Sequence, residues 1–153
     1  MTDVELLPNS MSFRVISTLD VQDESEIPGD FTGRVRRSFN GAESYVAWFT
    51  GGTLDNPGRT HPAYRRYRAD GQVKYEMYYE NGQLQDPTDR DAAVKGYFAN
   101  GRLHYEEHYR DGKRSDARNG DPAVSKWRAD GTLRHQLRYR NGKRVTGRHS
   151  AVG

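Results

Sequence analysis

The sequence predicts an all-β protein: an elongated, twisted antiparallel β-meander, or solenoid sheet, of four hairpin repeats of about thirty residues with an N-terminal capping strand. Three observations predict it. Glycines recur in register, with Gly41, Gly71, Gly101 and Gly131 thirty residues apart and Gly52, Gly82, Gly112 and Gly142 spaced the same way. Asn, Asp or Gly precedes each of them, as a type I′ hairpin turn with two positive-φ residues requires. The segments between them alternate with period two, as a strand does, and no stretch keeps the three-to-four spacing of a helix free of Gly or Pro.

The clearest copy runs from Asp70 to Gly82. Val73, Tyr75, Met77 and Tyr79 share one strand face, and Lys74, Glu76 and Tyr78 the other. The same columns hold Leu103, Tyr105, Glu107 and Tyr109 against His104, Glu106 and His108, then Leu133, His135, Leu137 and Tyr139 against Arg134, Gln136 and Arg138. One face of this kind packs inward and the other is solvated. A shorter strand precedes each first turn at Tyr64–Ala69, Val94–Ala99 and Val124–Ala129, with Tyr67, Tyr97 and Trp127 as its aromatic column. A third short strand follows each second glycine at Gln83-Leu84, Lys113-Arg114 and Lys143-Arg144.

Ahead of the repeats, residues 1–11 read as a weakly ordered start, and the β-branched Ser12–Leu19 as a strand that is either a capping edge strand or a hairpin partner for the first unit. Asp20–Asp30, acidic and carrying Pro28-Gly29, reads as a loop that either folds back over basic strands or is solvated. Residues 33–56 form a degenerate first unit, with Trp48 in the column of Tyr78, His108 and Arg138. The division is thus an acidic leader with its capping strand at 1–32, a repeat domain at 33–146 and a frayed tail at 147–153. In such arrays each unit buries its apolar face on its neighbours, so a large central core is not needed.

Residues 1–32 carry seven acids and one base, whereas the whole chain is +3, which leaves about +9 beyond residue 32. A basic surface of that kind suits an acidic partner, whether a protein patch, nucleic acid or anionic lipid. The chain has no cysteine, so it offers neither a disulfide nor a thiolate nucleophile and suits the cytoplasm. Its opening residues lack the basic and apolar regions of a signal peptide, and no apolar run approaches a membrane span.

No phosphate-binding glycine loop, Gly-x-Ser-x-Gly nucleophile or paired carboxylates stand out, so the expectation is a non-enzymatic protein without cofactor or metal. His104, Glu106 and His108 lie at metal-ligand spacing on one strand, but their column varies freely between repeats. The best binding candidates are two lines across the polar face: Trp48, Tyr78, His108 and Arg138, and beside it Lys74, His104 and Arg134. Aromatic and Arg residues anchor protein interfaces, and interleaved with bases they also stack and neutralise single-stranded nucleic acid.

Tyr-x-Asn-Gly-x-Leu stands at residues 79–84, Tyr-x-Asp-Gly at 109–112 and Tyr-x-Asn-Gly at 139–142, and in residues 119–142 Gly-Asp-Pro-Ala leads into a Trp-containing strand and an Asp-Gly turn. Over residues 39–146 this pattern resembles the MORN-variant repeats of bacterial and phage proteins, among them YwqK-like antitoxins. The resemblance implies neutralisation of a toxin protein. The expected role is therefore a protein-binding module of the antitoxin, immunity or phage counter-defence kind. The alternatives are nucleic-acid or anionic-lipid binding, and a structural module that self-associates through its sheet edges.

Overall fold

The computed structural model of the chain describes residues 2–6, 13–40 and 42–146. Gly41 and the tail from 147 to 153 lie outside them. The fold is all-β: among the described residues the one helix is a 3-10 turn at Glu24–Glu26. Among the described residues hairpins build a mixed sheet whose strands follow an open order, with no closed barrel. The chain divides into two compact units, Met1–Gly82 and Gln83–Gly153, taken here in turn.

In the first unit, β1 (Thr2–Leu6) pairs antiparallel with β2 (Phe13–Val21). The expected weakly ordered start is therefore in part a strand, and the capping strand is not itself an edge. β2 then runs parallel to β3 (Gly33–Phe39), with Thr18 opposite Arg34 and Val21 opposite Arg37. This departs from the all-antiparallel expectation. The acidic loop between them, with its 3-10 turn, returns the chain to the same end of the sheet, and a parallel pair needs such a crossover. That loop folds back, with Glu24 3.5 Å from Arg37, whereas Asp20, expected in the loop, belongs to β2 and lies 3.0 Å from Arg36 opposite it. β3 continues into β4 (Ala42–Thr50), which also pairs with β5 (Thr53–Leu54) and β6 (Tyr64–Tyr67). β6 forms a hairpin with β7 (Val73–Met77), and β8 (Tyr79–Glu80) follows.

Val21, Val35, Tyr45 and Ala47 form the core of this unit, with Leu19, Ile27, Phe31, Phe49, Leu54 and Tyr64 packed around them. Tyr45, Tyr64 and Tyr75 stack in succession at 5.3 and 5.9 Å. Burial pushes the Tyr64 hydroxyl up to about 12.

The second unit repeats one pattern twice. After β9 (Gln83–Leu84), β10 (Val94–Tyr97) pairs with β11 (Leu103–Glu107), and β12 (Tyr109–Arg110) pairs with β13 (Lys113–Arg114). β14 (Val124–Trp127) pairs with β11 and with β15 (Leu133–Leu137), and β16 (Tyr139–Arg140) with β17 (Lys143–Arg144). Gly96 takes the place of a side chain under the ring of Tyr105, which would collide with any Cβ there.

The two series of glycine turns differ. Asn81-Gly82, Asp111-Gly112 and Asn141-Gly142 have φ near +50° and +80°, the paired positive values of type I′. In the first series Asn40 has φ of +51°, but in the three later members only Gly71, Gly101 and Gly131 have positive φ, while Asp70, Asn100 and Asp130 do not. Each of those three instead accepts the backbone N–H two residues on. The N–H of Gly71 returns to the Arg68 carbonyl and that of Arg68 goes to the Gln72 carbonyl. This is a longer loop closed by a left-handed glycine, with a register shift at its neck.

Candidate interaction surface

The strands expected to run unbroken through Val73–Tyr79, Leu103–Tyr109 and Leu133–Tyr139 break at position 78, 108 or 138, each lying between two short strands. The break exists because the loop before each repeat folds over that face of the sheet. Pro62, Ala63, Ala92, Ala93 and Ala123 are buried beneath it. The ladder to the next strand runs on past its last paired residues: the N–H of Trp48 donates to the Ala63 carbonyl and that of His108 to the Ala123 carbonyl, both at 2.7 Å.

The line of Trp48, Tyr78, His108 and Arg138 is accordingly not the solvated row that alternation suggests. Trp48, Tyr78 and His108 are buried, at 8%, 8% and 3% exposure. The Tyr78 hydroxyl donates to the Thr60 carbonyl. His108 Nδ1 sits 2.7 Å from Asp86 Oδ2. Arg138 is partly exposed and donates to Asp116 Oδ2 and to the Gly120 carbonyl, each at 3.0 Å. Tyr78, His108 and Arg138 thus each bond the loop that precedes their own strand, while Trp48 packs against Arg34 and against His61 of the following loop.

The loop residues that receive them form a device the sequence reading missed. Asn56, Asp86 and Asp116 stand thirty residues apart. Their Oδ1 atoms accept the backbone N–H of Tyr79, Tyr109 and Tyr139, just past each strand break. Asp86 and Asp116 also take the N–H of Ala93 and Ala123. One carboxylate thus satisfies donors that the interrupted ladder would otherwise leave buried and unpaired. The thirty-residue spacing of Asn or Asp was the available signal, but Asp-Pro reads first as a turn.

The inward and outward faces differ from expectation in the same way. Along β7 and β8 the buried side chains are Glu76 and Tyr78, while Tyr75, Met77 and Tyr79 are half-buried. Glu76 is held by Arg65 at 3.1 Å. Arg34, Arg36, Val46, Trp48, His61 and Arg65 line an open groove of about 220 Å³ in the first unit. Arg34 lies over the Trp48 ring at 5.6 Å.

Of the second predicted line, Lys74 and Arg134 are exposed. His104 is half-buried and stacks on Phe98 at 4.0 Å. His104, Glu106 and His108 do not converge: His108 turns to Asp86, and no group of three metal-ligating side chains occurs among the described residues. Burial raises the carboxyl of Glu106, opposed by the positive charge of Lys95. The second unit also carries an open cleft of about 640 Å³ walled by Arg110, Arg118, Arg138 and Arg140 around Asp116. Arg114 bonds Glu107 at 3.1 Å and lies over Tyr139.

Comparison with known families gives one match. Residues 63–81, 74–86 and 90–111 match the model described as the MORN repeat variant. No curated protein and no solved structure matches the chain. MORN repeats are generally non-catalytic modules that bind proteins or membranes, and a non-enzymatic binding role is compatible with the match. No helix among the described residues is long and apolar enough to cross a membrane.

Proposed function

We propose that this chain is a non-enzymatic binding module, a four-unit solenoid that covers an acidic patch on a protein partner. An antitoxin, immunity or phage counter-defence role, exerted by occlusion in the cytoplasm, fits that reading. The observation that supports it most directly is the surplus of cations on the second unit. Residues 83–153 hold fifteen Lys and Arg against nine Asp and Glu. Arg102, Lys113, Arg128, Arg134, Arg140 and Lys143 are exposed there, as is Lys74 in the first unit. Lys74 in the first unit and His104, Arg134 and Arg138 in the second supply contact residues, while Trp48 and Tyr78 are packed within the first unit and His108 within the second. No cofactor is required, because the work is shape and charge complementarity.

The test is a titration against the partner captured from cells that carry it. Lys74→Glu/Arg134→Glu lowers affinity by about tenfold or more, as loss of opposed charges does, with the far-UV spectrum and melting midpoint unchanged. Unchanged affinity overturns this assignment of the face. Tight binding to generic polyanions with a steep salt dependence replaces the protein partner with nucleic acid or anionic lipid.

A further inference from the structure

We infer that copies of this chain associate head to tail, β1 of one copy pairing with the outer edge of β15 in the next. The repeat pattern shows what the β15 edge accepts. In β11, Tyr105, Glu106 and Glu107 pair with β10 on one side and take β14 on the other. In β4, Tyr45, Val46 and Ala47 pair with β3 on one side and take β6 on the other. The residues thirty positions beyond the β11 set are His135, Gln136 and Leu137. They pair with β14, and among the described residues nothing pairs with their other side. Such a row of open N–H and C=O groups is a template for another strand. Leu133, at the start of β15, is 47% exposed.

β1 is the second open ladder. It pairs with β2 from Thr2 opposite Ser17 to Leu6 opposite Phe13, and among the described residues with nothing on its other side.

Charge decides between the ways two copies could meet. β1 reads Thr-Asp-Val-Glu-Leu, with two carboxylates and no cation. β15 reads Leu-Arg-His-Gln-Leu, with Arg134, His135 and no carboxylate, and Arg128, Arg138 and Arg140 flank it in sequence. Joining β15 to β15 sets like charges across the ladder, which is destabilising, whereas β1 against β15 sets opposite ones together. Val4 and Leu6 of β1 match Leu133 and Leu137 in the same alternation. The contact is heterologous, so a copy joined through one edge still offers its other edge to a further copy. It is also small, which places it among weak interfaces, and it is screened by salt.

Sedimentation of the full chain tests this without any partner, so its outcome is separate from that of the proposed protein binding. The average mass rises with protein concentration, and rises less at high ionic strength. Arg134→Glu/His135→Glu and Asp3→Lys/Glu5→Lys each abolish the rise while the far-UV spectrum is retained. Mixing the two variants in equal amounts restores it, because the acidic β15 of one then meets the basic β1 of the other. A monomer mass at every concentration overturns the inference, as do variants that associate like the parent or a mixture that stays monomeric.

Discussion

His108 Nδ1 lies 2.7 Å from Asp86 Oδ2, and the other oxygen of that carboxylate accepts the N–H groups of Ala93 and Tyr109 at 2.9 Å each. Three donors from two segments converge on one side chain. The loop over the sheet, the strand break and the side chain filling it are fixed together. Substituting Asp86→Ala leaves these donors buried without an acceptor, and each such group costs about 1–3 kcal/mol. The expected loss is about 3 kcal/mol in urea denaturation. Asp86→Asn keeps one acceptor oxygen, as Asn56 does at the equivalent position, and loses less than half of that.

Trp48 packs as a buried ring with Arg34 above it and His61 at its edge, and its indole N–H has no hydrogen-bond partner. Its contribution is therefore packing. Trp48→Ala costs about 3–5 kcal/mol, as large-to-small core changes do, while Trp48→Phe costs less than half as much. Thermal melting of the two variants separates this role from one in partner contact alone.

Gly96→Ala is a test of the Tyr105 ring contact. The added methyl has no room unless the ring moves, and overpacking of this kind costs about 1–3 kcal/mol. A paired Gly96→Ala/Tyr105→Leu variant recovers part of the loss, measured as the shift in denaturation midpoint.

The two turn series separate under substitution. Asp111→Ala forces a residue with a Cβ into φ of +51°, at a cost of about 1 kcal/mol or more. Asp70→Ala removes only an exposed hydrogen bond to Gln72, with a smaller effect. Equal losses in the two variants would show that the loops share one geometry.

Glu106 contributes through pH. Burial raises its carboxyl above the ordinary 4.5, so charging it is less favourable in the folded chain than in the unfolded one. The penalty is fully present above the raised folded value, shrinks as pH falls through it, and vanishes below 4.5, where both states bind the proton. Glu106→Gln consequently raises the melting midpoint at pH 7, and the difference from the parent shrinks as pH is lowered towards 4.5. A difference that grows with acidification contradicts the sign.

Much of this was legible in the residues, and the misses have one origin. Glycine spacing located the hairpins, and period-two alternation gave β10, β11, β14 and β15 their type. Alternation also named Trp48, Tyr78 and His108 as solvated, because it tells which residues share a face and not what lies over that face. The covering loop is a tertiary contact made by Asn56, Asp86 and Asp116, whose partners lie 22 or 23 residues away. The parallel pairing of β2 with β3 escaped for the same reason.

By itself the sequence determined the hairpins, the repeat period and the acid-to-base polarity along the chain, because turn φ angles, side-chain alternation and charge are local properties. Only the tertiary structure decided which face is covered, which glycines turn with two left-handed residues, and which strands keep an open edge. Those depend on backbone hydrogen bonds and packing between segments far apart in the chain, which no local pattern encodes.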